Sequence, residues 1–405
     1  MTRIAVVGNN VAGTTLAKAI RDADVEAEIH IFTDEPVPYY TRPKLIGFIA
    51  GTVNDDKILF HPMDWYKKNR LQLHLDSKVE KVDGIGHRIF VEGGWLEYDK
   101  MALANGSKAF MPPFKGLPKD NVFTLRTLED AMRIRASAAK AKDVVIIGGG
   151  LLGLETARAL ATGFPDLKVT ILEFAEHLLM RQLDHEGAEI LQRAIRELGT
   201  EVVTNAETEE LLGGDVATEV KLRDGRTIKC DMVVVSAGAR ADLSLAKGAG
   251  LQVNRGVVVD GSLRTSNPDI FAVGDVAEFE GKVWGMIPPA LEQARIAAKK
   301  MLELDGPDYA GTVPSNTLKV MGIDLTSIGK VRSEHDPPEE GFEEIRAVSA
   351  DGKVYKKFVV KDGRMIGAIL LGSKKEAAKV IRIIKGGEPV EQMISKLSDP
   401  EYDFD

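Results

Sequence analysis

The sequence predicts an α/β protein in which one strand–turn–helix–strand unit occurs twice and a small α+β domain closes the chain. Three observations predict it. A short apolar run ending in glycine, RIAVVG at residues 3–8, recurs as DVVIIG at residues 143–148. Each run leads into a glycine-spaced turn, a helix-like stretch and a second apolar run, EIHIF in the first copy and KVTILE in the second. From Pro307 the pattern changes to short alternating runs: KVYKKFVVKDGRMIGAILLG reads as a hairpin turning at Asp362-Gly363, with a helix near residues 373–386. Strand, turn, helix and strand in that order open a dinucleotide-binding unit, so the first two domains are expected to be Rossmann-like.

Bulk properties set the frame. At 405 residues the chain has room for two or three domains. Its 44% hydrophobic and 28% charged residues are those of an ordinary globular protein, so a sizeable core is expected. The net charge of -8 argues against a partner held by general attraction to nucleic acid. MTRIAVVGNN runs from strand straight into turn and lacks the parts of a cleavable leader. No apolar stretch reaches bilayer length; VVIIGGGLLGL is cut off by Glu155. A soluble, cytoplasmic chain with no membrane partner is the expectation. The single cysteine, Cys230, read as lying in a strand, excludes an intrachain disulfide and a Cys-x-x-Cys pair. The seven histidines are scattered, so no metal site is expected. No Gly-x-Ser-x-Gly elbow is present, which disfavours a serine hydrolase.

The second turn is the cleaner copy. Gly148-x-Gly150-x-x-Gly153 offers a tight turn, a bare backbone beside a pyrophosphate and close packing of helix on strand. A helix starting near Leu151 would present free N–H groups and its dipole to the phosphates. Glu173, about twenty residues past Gly153, ends the second strand, where a carboxylate accepts ribose hydroxyls and repels a 2′-phosphate. No arginine follows before Arg181, so NADH is expected over NADPH. The first turn is degenerate: Gly8-x-Asn10-x-x-Gly13 has asparagine at the middle position, a residue that tolerates positive φ. The same count from Gly13 lands on Thr33, with Asp34 and Glu35 next as candidate ribose acids.

Two such turns suggest a flavin and a nicotinamide nucleotide facing each other. Here the chain resembles the pyridine nucleotide–disulfide oxidoreductase superfamily, with its glutathione-reductase-like fold, and in particular the NADH:rubredoxin and ferredoxin reductase branch. Tyr98-Asp99-Lys100 leading to Ala104-Asn105-Gly106-Ser107 is similar to the family's Ala-Thr-Gly turn, with asparagine for threonine. Leu263-Arg264-Thr265-Ser266 and Ile270 through Val276 resemble its second flavin signature, in which the aspartate after Gly274, here Asp275, binds the ribityl chain. Leu125 through Ala131 resembles a stretch whose arginine, here Arg126, contacts the flavin nucleotide. Simpler roles exist for each: Asp275 as a helix cap, Arg126 in a surface ion pair. Pro38 through Leu45 resembles the segment beside the isoalloxazine, where a cation would stabilise the reduced ring; Arg42 is the first candidate and Lys44 the second, with Pro43 between them. Glu155 matches a glutamate in the cleft between nicotinamide and flavin, or serves as a helix-N-terminal acid. The resemblance further implies cofactor contacts at Ala12, Val79, Leu152 and Gly238.

The implied domains are an FAD-binding domain of residues 1–109 and 239–306, an NAD-binding domain of residues 110–238, and a C-terminal interface domain of residues 307–405 that ends in a loose acidic tail, SDPEYDFD. Asn316 through Val320 resembles the opening strand of that last domain. Disulfide reductases and peroxidases of the superfamily carry cysteine near the flavin, and residues 36–50 contain none. The expected function is an FAD-dependent NADH dehydrogenase that passes electrons to a small redox protein, rubredoxin- or ferredoxin-like, as a monomer or homodimer. The alternatives are an NADH oxidase or quinone reductase, and an NADH-sensing signalling or scaffold module. In the C-terminal helix, Lys375, Lys379 and Arg382 are spaced to share one face, a candidate docking stripe for an acidic carrier or an ordinary solvated face.

Overall fold

The computed structural model describes residues 2–331 and 341–404. The chain divides into two compact units, one of residues 1–48, 52–110 and 239–312, the other of residues 49–51, 111–238 and 313–405.

In the first unit five parallel strands form one sheet in the order Ile270–Ala272, Lys100–Leu103, Arg3–Val7, Glu28–Phe32, Gln72–His74. RIAVV is buried along most of its length, as a central parallel strand covered on both faces requires. Its neighbour EIHIF alternates half-buried Glu28 and His30 with buried Ile29 and Ile31. The helix Val11–Ala23 turns Ala12, Leu16, Ala17 and Ile20 inward at helical spacing. The helix Ile287–Met301 begins with prolines in its first turn, where a missing N–H costs nothing, and packs along Val11–Ala23. Its buried stripe is Ala290, Ala294, Ala297, Ala298 and Met301, with Gln293 as the one polar member. A separate antiparallel meander, Lys81–Asp83, Arg88–Val91 and Gly94–Glu97, belongs to the same unit.

The second unit repeats the parallel sheet in the order Glu201–Val203, Lys168–Leu172, Asp143–Ile147, Met232–Val235, Val122–Thr124, with an antiparallel meander of its own. In both sheets the strand that precedes the glycine turn is central. It also carries a five-stranded antiparallel sheet in the order Ser315–Val320, Ile323–Gly329, Arg364–Leu371, Tyr355–Lys361, Phe342–Val348. Its hairpin turns at Asp362 and Gly363, both at positive φ (50° and 72°), as a two-residue turn matched to strand twist demands. The helix Ala377–Gly386 follows and ends on Gly387 in the left-handed region.

Four local expectations need correction. Lys375 precedes the C-terminal helix, and Lys379 donates to the Asp403 carbonyl at 3.2 Å, so the three cations form no helical stripe. Cys230 lies in the link between the strands Thr227–Lys229 and Met232–Val235 rather than within a strand. Glu173 falls just past the strand Lys168–Leu172. The acidic tail is not loose as far as Phe404: Tyr402 and Phe404 pack on the core that includes Phe358, and the buried Lys356 ammonium takes the Tyr402 carbonyl at 3.1 Å. Apolar rings and a buried donor tie down a segment whose charges suggested solvent; Asp405 lies outside the described residues.

Candidate functional site

The outer glycines of the two turns are held alike. Gly8 and Gly148 adopt φ of 122° and 116°, and a methyl group on either would meet a carbonyl oxygen of the neighbouring chain, Ala104 at 2.2 Å or Ser236 at 2.3 Å. A methyl on Gly13 or Gly153 would strike the carbonyl of the first glycine of its own turn, at 1.9 Å and 2.0 Å. These contacts hold each helix start against its sheet, so both outer glycines are demanded by the fold itself.

In the first unit the structure gathers Gly8, Asn10, Ala12, Gly13, Ala104, Gly274 and Asp275. Gly274, at φ 79°, lies against Ala12: a methyl there would come within 3.0 Å of the Ala12 side chain. Asp275 sits in a single 3-10 turn and accepts from the Ser107 hydroxyl at 2.9 Å. Gly106, at φ 72°, accepts from the Asp242 N–H, while the Asn105 amide donates to the Asp242 carbonyl at 2.8 Å. Two supports were not foreseen. Gln293, 1% exposed, takes the Gly274 N–H at 2.8 Å. Tyr66, whose hydroxyl burial pushes up to about 12, donates to Asn9 beside Asn10 at 2.7 Å. The polar residue on an otherwise alanine-lined helix face was the one signal that could have found Gln293.

Past the strand Glu28–Phe32, Asp34 is exposed and Glu35 half-buried. Arg42 pairs with Glu35 at 2.8 Å and donates to the Tyr40 hydroxyl, which also donates to Glu35. Lys44 gives its ammonium to the carbonyls of Lys57 and Leu59 at 2.7 Å and 3.1 Å. Both candidate cations are thus engaged locally, Arg42 by one of the two candidate ribose acids. Pro43 is exposed between them. Val79 is buried in the core of the unit.

In the second unit Gly148, Gly150, Leu152, Gly153 and Glu173 come together. The Glu173 carboxylate accepts from the Gly149 N–H at 2.6 Å and from the Ala175 N–H at 2.8 Å, which pins it at the edge of the turn. Gly150 caps the helix Leu151–Gly163 with no side-chain bond, and a methyl there would meet nothing within 4 Å. Leu152 stands 42% exposed in the first helical turn. Open N–H groups, an open cradle and a fixed carboxylate fit an adenine dinucleotide. Glu155, on the same helix, accepts from the Met321 N–H at 2.8 Å; burial raises its carboxyl, against the pull of that N–H and of Arg158. Arg126 precedes the helix Leu128–Ala138, whose capping box joins Thr127 and Asp130; Asp130 also accepts the Arg126 N–H at 2.9 Å. Gly238, at φ 96°, is exposed. Among the described residues no cluster of three or more His, Cys, Asp or Glu could hold a metal, and no helix is long and apolar enough to cross a membrane.

The sequence pattern described as pyridine nucleotide-disulphide oxidoreductase matches residues 2–300, and that of the rubredoxin NAD+ reductase C-terminal domain matches residues 314–388. The chain is 32% identical over 384 residues to a rubredoxin-NAD(+) reductase of Alcanivorax borkumensis, covering 94% of this chain and 98% of that one. It is 32% identical over 385 residues to a nitrite reductase [NAD(P)H] of Bacillus subtilis, covering 95% of this chain and 47% of the relative. The chain spans about half the length of such longer curated relatives. Among solved structures, the covalent putidaredoxin reductase–putidaredoxin complex matches with a TM-score of 0.86 at 26% identity, over 98% of this chain and 96% of that one.

Proposed function

The chain belongs to the pyridine nucleotide-disulphide oxidoreductase family, and we propose that it oxidises NADH through a bound FAD and delivers the electrons to a small one-electron redox protein. The observation that carries this reading is the duplication: two glycine turns with outer glycines held alike, each at the centre of its own parallel sheet. The first is assigned to FAD and the second to NADH. In domain terms, residues 1–109 and 239–306 would hold FAD, residues 110–238 NADH, and residues 307–405 would form the interface domain.

Bound FAD would supply the two-electron acceptor for a nicotinamide hydride and a donor to one-electron carriers. The protein's own part is binding and orientation. Gly150 leaves the N–H groups of the second helix to the pyrophosphate, and Glu173, already held by two backbone N–H groups, offers its carboxylate to the ribose diol. Asp275, oriented by Ser107, would take the ribityl hydroxyls, while Gln293 fixes the turn beneath it. Glu155, kept near the second helix start by the Met321 N–H, would line the nicotinamide end.

A thiol route has no support, because residues 36–50 hold no cysteine and Cys230 is buried. The names of the relatives favour a protein carrier: one is a rubredoxin reductase and another was captured with putidaredoxin. The test is anaerobic reduction of the purified chain with NADH, followed by stopped-flow reoxidation against rubredoxin, ferredoxin, oxygen and a quinone. Reoxidation by a protein carrier well above the rate with oxygen is expected. Faster turnover with oxygen or quinone would overturn the carrier assignment, and a chain that cannot bind FAD would overturn the whole reading.

A further inference from the structure

The two turns differ at their middle position, where one carries a side chain and the other none. At Gly150 the cap residue lies at φ −79° and ψ 176°, and no side chain claims the N–H groups behind it. At Asn10 the cap also lies in the extended region, φ −141° and ψ −170°, so the backbone there needs no glycine. The Asn10 amide oxygen instead accepts from the N–H groups of Ala12 at 3.0 Å and Gly13 at 3.3 Å. Its amide nitrogen donates to the Ala104 carbonyl at 2.5 Å, so the side chain spans the turn from helix start to neighbouring strand. Those N–H groups are what a helix N-terminus offers a phosphate. An N–H group cannot give a full hydrogen bond to both acceptors at once.

We propose that Asn10 is an intramolecular competitor of FAD, a latch that caps the first helix in the flavin-free chain and swings aside when the pyrophosphate arrives. The inference rests on assigning the first turn to FAD. Charge-assisted bonds to phosphate are roughly twice as strong as neutral amide bonds, so the cofactor wins the exchange. It wins by less than it would at an open turn such as the second, because the cap must be given up first. Flavin retention in this protein is therefore set by an exchange of acceptors at one helix terminus. The backbone is already in place for either occupant, so the exchange needs only rotation of one side chain.

The test uses the full chain stripped of flavin and titrated with FAD, with flavin fluorescence as the readout, beside thermal melts of stripped and loaded protein. Asn10→Gly is expected to bind FAD about 3- to 10-fold more tightly, the release of one or two modest hydrogen bonds. The gap in melting temperature between its stripped and loaded forms should widen. Asn10→Asp, whose carboxylate caps more strongly and repels phosphate, is expected to bind FAD more than about tenfold more weakly, in a stripped chain that still folds although it loses the bond to the Ala104 carbonyl. Should Asn10→Gly not fold, Asn10→Ser keeps a shorter cap that cannot reach Ala104, and intermediate tightening is expected. If the folded glycine or serine variant binds FAD no more tightly than wild type, or more weakly, Asn10 is a flavin ligand or a bystander and the latch is overturned. A wild-type chain that binds no FAD at all would instead strike the functional reading on which the latch rests.

Discussion

The first and second glycine turns hold their outer glycines alike and differ in what stands at the helix terminus: an asparagine amide in one, open space in the other. The outer glycines of each turn touch protein, and a methyl on any of the four would collide with a carbonyl. The middle position touches no other part of the protein in the second turn. Positions that face the fold are therefore held by the fold, while the open middle position is free to take a side chain. A glycine fingerprint mixes these two kinds of constraint, which is why a degenerate copy can still mark an intact unit.

The most disruptive way to probe this comparison is to put the methyl in. Gly13→Ala and Gly153→Ala each force a contact near 2 Å against backbone, so the turn itself must shift. The expected outcomes separate the two sites. Gly13→Ala should yield protein without flavin colour. Gly153→Ala should remain yellow but lose NADH-driven bleaching by more than about a hundredfold, an effect above 2.7 kcal/mol. Absorbance spectra and anaerobic stopped-flow reduction check both. If Gly153→Ala loses flavin and Gly13→Ala keeps it, the assignment of the two turns is reversed.

A smaller effect tests how the second turn chooses its nucleotide. Glu173→Arg removes a carboxylate held by two backbone N–H groups and puts a cation near the position expected for a 2′-phosphate. The ratio of kcat/KM with NADPH to that with NADH should rise by about 2–4 kcal/mol, from a lost paired acceptor and a gained charge-assisted bond. Steady-state kinetics with both nucleotides measure it. A wild-type chain that already prefers NADPH would show the ribose site to be misplaced.

How much of this was legible in the sequence follows the same division. The turns and the Asp362-Gly363 hairpin were readable because local spacing alone specifies them. The buried charges of the second unit were not. KVYKKFVVK reads as one arm of a hairpin, and nothing in it tells that Lys356 and Lys357 are each 1% exposed on adjacent positions of one strand. Lys356 meets Glu376 at 3.0 Å, and Lys357 meets Asp184 and Glu344, each at 3.1 Å. Burial alone would raise the Asp184 carboxyl, but the Tyr355 hydroxyl, Lys357 and the Gly187 N–H outweigh it and hold it low. No local pattern announces partners so distant in sequence. Gln293 and Tyr66 escaped for the same reason, since each acts on a turn far from its own position.

The pH dependence of Glu155 gives a finer probe of the second turn. Burial raises its carboxyl above the ordinary 4.5, so between that value and the folded one the native chain binds more protons than the unfolded chain. The resulting stability is fully present below pH 4.5 and is lost as pH rises through the folded value. Glu155→Gln can still accept the Met321 N–H and cannot ionise. Its melting temperature relative to wild type should therefore climb as pH rises from 4.5 through the folded value and level off above it, by a few degrees at most. A difference that stays flat from pH 4 to 8 would mean that burial does not tax this carboxylate.

The smallest expected effect bears on whether the two turns and their nucleotides account for all the chemistry. Cys230 is 4% exposed, packed in a cluster with Val145, Val220 and Val233. Burial first, and then the charges of Asp231, Glu219 and Asp143, push its thiol up to about 12. A thiol that keeps its proton across the physiological range is neither nucleophile nor redox partner. Cys230→Ser should leave NADH reduction and carrier turnover, expressed per bound flavin, within about twofold of wild type. The variant should still melt lower, because a hydroxyl without a partner in that cluster costs about 1–3 kcal/mol. Cys230→Ala, which adds no polar group, separates that packing cost from any chemical one. A large loss of turnover in both variants with flavin content intact would bring back the thiol step and end the claim that the two nucleotide turns suffice.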